Sequence, residues 1–275
     1  TTARVRRQRR LVADTARVAA RQTAGMAPTR REDLALSAAA LGGSAGAAAA
    51  PLAICTFGDS ILDCGHYNPH GVHPAALLVR NDDTLFPEFR GKDLSARGAR
   101  LEHRATDGAT ADGLQRQLEQ LQAPRGPAVA LLTVGGNDLL RGLAADEGPA
   151  MRAFERKLQA FARALPVRPL LVGTVYDPTF GDDSRNFLGV EAKTARRNHR
   201  RVNAILGELA VRHGALADLH AHFLRGDPSW YVHTIEPSLR GASEVRRVFL
   251  PLVGARAWGT IGAFAEPWSV ALGCP

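Results

Sequence analysis

Residues 128–142 read AVALLTVGGNDLLRG. The first seven form a continuous apolar run, the pattern of a parallel strand buried on both faces. Gly135-Gly136 ends the run in a tight turn. Asn137 then offers a side-chain NH2 donor at the carboxyl end of that strand. Working outward, the same pattern recurs. Apolar runs at 52–57 and 169–175 and a shorter one at 215–219 read as strands, with a further strand over 99–105. Between them lie helical stripes: Leu114, Leu118 and Leu121 over 110–122; Met151, Phe154, Leu158, Phe161 and Leu165; and Val202, Ile205, Leu206 and Leu209 within 191–213. A last helix is expected over 238–253. Strands alternating with helices predict an α/β fold, a parallel sheet between two helical layers. In such sheets ligands bind at the carboxyl ends of the strands.

Three polar clusters fall at those ends. Gly58-Asp59-Ser60 follows the first strand, Asp107-Gly108 the second, and Gly135-Gly136-Asn137 the third. A hydroxyl at a strand-to-helix turn is a nucleophile candidate. Gly108 lets a backbone N–H approach a ligand, and Asn137 adds a side-chain donor; together they suit a developing oxyanion. Each cluster alone is also an ordinary cap or turn. It is their order along an α/β chain that favours a site.

The stretches TFGDSILD (56–63), ATDGATADGL (105–114) and LLTVGGNDLLRG (131–142) resemble the first three conserved blocks of the SGNH, or GDSL-type, hydrolases. The resemblance spans about residues 52–253. It implies a three-layer α/β/α sandwich with a five-stranded parallel sheet, flavodoxin-like. It also implies hydrolysis of carboxylic esters by Ser60, with Ser60, Gly108 and Asn137 as the oxyanion hole and no metal or other cofactor. The substrate would be a small-molecule, glycan or lipid ester.

The fourth block departs from the family. Where the family carries Asp-x-x-His-Pro, this chain reads His233-Thr234-Ile235-Glu236-Pro237. The imidazole and the carboxylate stand in exchanged order. If the loop swings, His233 is the base and Glu236 or Asp227 orients it. Recruitment of another histidine, His66 above all, and loss of activity in a domain that only binds remain alternatives. His66, His70 and His73 are too broken by Pro and Gly to share a helical face, so they read as a pocket-lining loop rather than a metal site. Residues 81–90 read as a structured insertion that can gate the pocket, and of His220 and His222 only one can face the site.

The chain has 275 residues and a formal charge of +8. Nine arginines and three acids in residues 1–50 supply +6 of it, so the remainder is close to neutral. A basic arm ahead of a near-neutral body does not predict nucleic-acid binding by the folded domain. As a separate reading, the arm is a tether for nucleic acid or an anionic membrane. No stretch is long and apolar enough to predict a membrane span. Residues 1–50 are expected to lie outside the fold, as a disordered or targeting segment. Met26, the Arg30–Arg31 pair and the Ala-rich run after them set the choice between cytoplasm and export. Cys55, Cys64 and Cys274 make no disulfide framework or zinc motif, though a Cys64–Cys274 bridge stays open.

Overall fold

A computed structural model describes residues 51–258, with side chains to residue 255. The arm 1–50 and Cys274 lie outside the described residues. Five strands form one parallel sheet: β1 (Ala53–Gly58), β2 (Arg100–His103), β3 (Ala128–Thr133), β4 (Leu170–Gly173) and β5 (Gly214–Ala217), in the order β2-β1-β3-β4-β5. Every pairing is parallel. Seven α-helices lie among the described residues: α1 (Pro74–Val79), α2 (Leu114–Glu119), α3 (Gly136–Leu140), α4 (Pro149–Ala164), α5 (Ala192–His213), α6 (Leu219–Phe223) and α7 (Leu239–Trp258). None is long and apolar enough to cross a membrane.

Alternation along the strands supplies two cores. Cys55, Phe57, Ala130 and Leu132 face α2, α4 and α5, meeting Leu114, Phe154, Leu158, Phe161, Val202 and Leu206. Phe57 packs edge-on against Phe161 with ring centroids 5.2 Å apart. Ile54, Val129, Leu131 and Leu171 face the other way, toward Leu78 of α1, Phe223 of α6, and Val245, Phe249 and Val253 of α7. The predicted strands and long helices all form, with ends shifted by a few residues. The expected 110–122 helix starts as a 3-10 turn (Ala111–Gly113) and ends at Glu119.

Residues 81–94 are held by a buried arginine. Arg246 of α7, 1% exposed, donates to Asn81 Oδ1 at 2.6 Å and lies 3.5 Å over the Phe89 ring. The Asn81 amide in turn donates to the Phe86 carbonyl at 2.9 Å. This insertion is structured, as expected, but none of residues 81–90 lines the pocket described below.

The turn after β1 is pinned most heavily. Gly58 has φ +111°, and a Cβ there would meet the Thr133 carbonyl oxygen at 1.6 Å, so only glycine fits. The buried Gln117 amide brackets Gly58: it accepts from the Gly58 N–H at 2.7 Å and donates to the Gly58 carbonyl at 2.8 Å. Asp59 donates its N–H to the Thr133 carbonyl. Its carboxylate accepts from Thr133 Oγ1 at 2.9 Å and from the Ile61 N–H at 3.2 Å. Burial drives the Asp59 pKa up to about 8, against those two hydrogen bonds and with help from the Glu236 and Asp138 charges.

Two expectations follow. Replacing Gln117 by Leu leaves a buried N–H without its partner and costs about 2–4 kcal/mol, read from urea denaturation. For Asp59, the folded state holds a proton that the unfolded chain has released above its ordinary carboxylate pKa. Its contribution to stability therefore falls as pH rises from about 4 toward 8. The stability of Asp59→Asn relative to wild type should increase between pH 5 and about 8 and then level off; a difference that stays constant would show that Asp59 does not titrate there.

Candidate active site

Ser60 follows this turn and is 7% exposed. The Leu62 and Asp63 N–H groups close the turn onto the Asp59 carbonyl at 3.1 Å each. The Ser60 N–H has no acceptor among the described residues, and neither has the Gly108 N–H. Both are therefore unspent donors.

The third block holds the second. Asn137 Nδ2 donates to the Ala109 carbonyl at 3.1 Å. The Asp138 carboxylate accepts from the Ala111 N–H at 3.2 Å, and Arg141 donates to the Gly108 carbonyl at 2.9 Å. Three residues of Asn-Asp-Leu-Leu-Arg thus fix the loop that carries Gly108. The reason α3 starts where it does lies in Gly135, at φ +114°, where a Cβ would strike Val202 at 2.9 Å. An amide nitrogen carries two protons. With one on Ala109, Asn137 keeps the other free.

The fourth block forms a small antiparallel hairpin, β6 (Tyr231–Val232) and β7 (Glu236–Pro237), which the sequence pattern did not suggest. Val232 pairs with Glu236 across it. The tip residues His233 and Thr234 have φ +49° and +78°. A left-handed conformation strains any residue with a Cβ, a β-branched threonine most. The tip is held by Tyr176, whose hydroxyl donates to the Ile235 carbonyl at 2.7 Å.

This hairpin decides which side chain meets the serine. Glu236 turns inward and lines the same pocket as Ser60. Its Oε2 is buried without a partner. Burial raises the Glu236 pKa to about 7; the Ser60 hydroxyl opposes the rise and the Asp107 charge adds to it. Burial likewise lifts Asp138 to about 6. His233 points out. It is exposed, touches Tyr67 edge-on at 5.6 Å, and makes no hydrogen bond among the described residues. The loop swing that would bring His233 to Ser60 is absent because the left-handed tip carries its side chain away.

Nor is Asp227 brought to the serine. It caps the 3-10 turn Pro228–Trp230, accepts from the Ser229 N–H at 2.8 Å, and pairs with Arg240 at 3.7 Å. Asp followed by Pro is a helix-start signature that announced this role. His66 pairs with Asp107 at 3.2 Å, and Tyr67 donates to the same carboxylate at 2.9 Å. His73 stacks on His103 at 4.3 Å. His222 holds Glu244 at 2.8 Å, and His220 lies against His199 at 4.9 Å. Cys55 and Cys64 are free and buried.

A pocket of roughly 110 Å³ opens beside Ser60, Asn137 and Glu236. Leu139, Val175, Tyr176, Phe187, Leu188 and Ile235 give it apolar walls. The loop after β4 that supplies Phe187 and Leu188 carries no periodicity, so no pattern foretold it.

A family model described as the GDSL-like lipase/acylhydrolase family matches residues 56–242. No curated protein matches the chain. Among solved structures, an acetylxylan esterase from Geobacillus stearothermophilus superposes with a TM-score of 0.53 at 19% identity, over 75% of this chain and 95% of that one. An α/β hydrolase from the metagenome of Lake Arreo, Spain, gives 0.51 at 23% identity, over 75% and 96%. At these identities the likeness speaks for the fold. The five-stranded sheet in this order, the strand-end clusters and the family match over most of the chain agree: it belongs to the GDSL-like lipase/acylhydrolase family.

Proposed function

We propose that the protein hydrolyses carboxylic esters through an acyl-serine formed on Ser60. The observation that carries this reading is a serine that lines one pocket with Asn137, each with an unspent donor: the Ser60 N–H and the second amide proton of Asn137. The Gly108 N–H, on the loop that Asn137 and Arg141 fix, is unspent too. Ser60 Oγ attacks the ester carbonyl. The oxyanion that develops is held by those three groups, which need no reorganisation because the turn and the loop are already pinned. The alcohol leaves, and water releases the acid from the serine.

The apolar pocket fits the acyl chain. A 150 Å³ apolar cavity takes a six-carbon benzene ring, so roughly 110 Å³ suits an acyl group of about four to five carbons. The walls of Val175, Phe187 and Leu188 favour an alkyl chain over the single methyl of an acetyl group.

A second reading is favoured by one observation: among the described residues no imidazole is hydrogen-bonded to Ser60. A domain that binds acyl groups without turning them over would keep the same cradle. Turnover of nitrophenyl esters separates the two. Hydrolysis that disappears in Ser60→Ala supports the enzyme, whereas binding of a butanoyl ester without turnover supports the second reading. Asn137→Ala should lower kcat by about 10²–10³ with little change in KM; an unchanged kcat would make Asn137 a loop anchor alone. Across a nitrophenyl ester series, kcat/KM should peak at butanoate to pentanoate and drop steeply by decanoate. A flat profile would remove the pocket from the reading.

A further inference from the structure

The titratable side chain of the fourth block that lines the pocket with Ser60 is a carboxylate, that of Glu236. We infer that Glu236 takes the Ser60 proton itself, so that the reaction runs on a serine–carboxylate pair with no imidazole between them. The inference rests on the ester-hydrolase reading above.

Geometry carries it. Glu236 and Ser60 line the same pocket, and Glu236 Oε2 is buried with no hydrogen-bond partner among the described residues. The hairpin pairing of Val232 with Glu236 and the Tyr176 bond to Ile235 hold it there. The titratable groups facing Glu236 come from every neighbouring element: Asp59 and Cys64 beside the nucleophile, Tyr67 after it, Asp107 after β2, and Tyr176 after β4. From its own hairpin, His233 points away. No Lys, Arg or His forms an ion pair with Glu236 among the described residues. An ordinary carboxylate is too weak a base for a serine, but burial without a cation brings Glu236 to about 7, near the value an imidazole offers.

The step balances. As the Oγ–carbon bond forms, the Ser60 proton moves to Glu236 and the carbonyl electron pair to the oxyanion. On collapse the bond to the leaving alkoxide breaks, and the Glu236 acid protonates it. Water then attacks the acyl-serine, Glu236 takes its proton, and Ser60 Oγ recovers that proton as it leaves. The single negative charge migrates from Glu236 to the oxyanion and back. No imidazolium arises to assist, so the three donors carry all of the stabilisation.

The test uses the full chain with a butanoyl nitrophenyl ester. Glu236→Gln should lose about 10²–10⁴ in kcat. Formate or acetate should restore turnover to Glu236→Ala in a saturable way, while imidazole should not. Wild-type kcat/KM should rise with pH through an apparent pKa near 7 and then level off, because the ionised carboxylate is the active form. His233→Ala should stay within about threefold of wild type, against the 10²–10⁴ that a general base contributes. Full Ser60-dependent turnover in Glu236→Gln would overturn the inference. So would a loss in Glu236→Gln with no carboxylate rescue of Glu236→Ala, since a merely structural role gives that result. Turnover that survives Ser60→Ala would instead defeat the hydrolase reading itself.

Discussion

The two hydrogen bonds between the Gln117 amide and Gly58 are what the rest of this structure leans on. Gly58 ends β1 with its N–H met by Gln117 and its carbonyl shared between Gln117 and the Thr106 N–H. A buried peptide in that position is costly unless both groups are met. Gln117 meets both from α2, on the face of the sheet where α4 and α5 also pack. The turn then has no freedom, and Asp59 can be driven into the core behind it while Ser60 stays at the edge. Helix packing, sheet register and the position of a single hydroxyl are joined through one side-chain amide.

The electrostatics of this edge are those of enclosed acids. Asp59, Asp138 and Glu236 are all lifted by burial, and each has a different answer to it. Asp59 Oδ1 accepts from the Thr133 hydroxyl and the Ile61 N–H, and Asp138 accepts from the Ala111 N–H, so both serve as internal braces. Glu236 has one buried oxygen without a partner, facing a site where charge can move. Among the described residues no cation pairs with it, and that is the chemically informative feature. An arginine there would stabilise the carboxylate and make it inert as a base.

Much of the frame was legible in the chain. The runs 128–134 and 52–57 could only be strands covered on both sides, and the stripes of α4 and α5 could only be amphipathic helices. Gly108, Asn137 and Ser60 were legible because each stands where a strand stops. Gln117 left a fainter trace: it sits one turn after Leu114, on the apolar stripe, where a polar side chain must have a buried partner. The hairpin β6–β7 left none. Its strands are two residues long, and its tip uses left-handed backbone at His233 and Thr234, residue types that announce no such turn. The inward and outward sides of the fourth block hang on those two torsions, so the identities of His233 and Glu236 were readable and their orientations were not. The apolar pocket was hidden for a related reason, since its outer wall comes from an aperiodic loop.

The buried guanidinium of Arg246 has a consequence for the order in which the molecule is made. Its partner Asn81 lies 165 residues earlier in the chain. On the ribosome, the segment around Asn81, Phe86 and Phe89 emerges long before the helix that completes it. Until α7 arrives, that segment has no cation for its aromatic faces and no donor for its amide. Such a distant contact adds to the loop-closure cost that slows folding. The insertion must therefore wait, partly exposed, for nearly the last helix of the domain, and a nascent chain stalled before residue 239 would carry the nucleophile turn while lacking the clasp beside it.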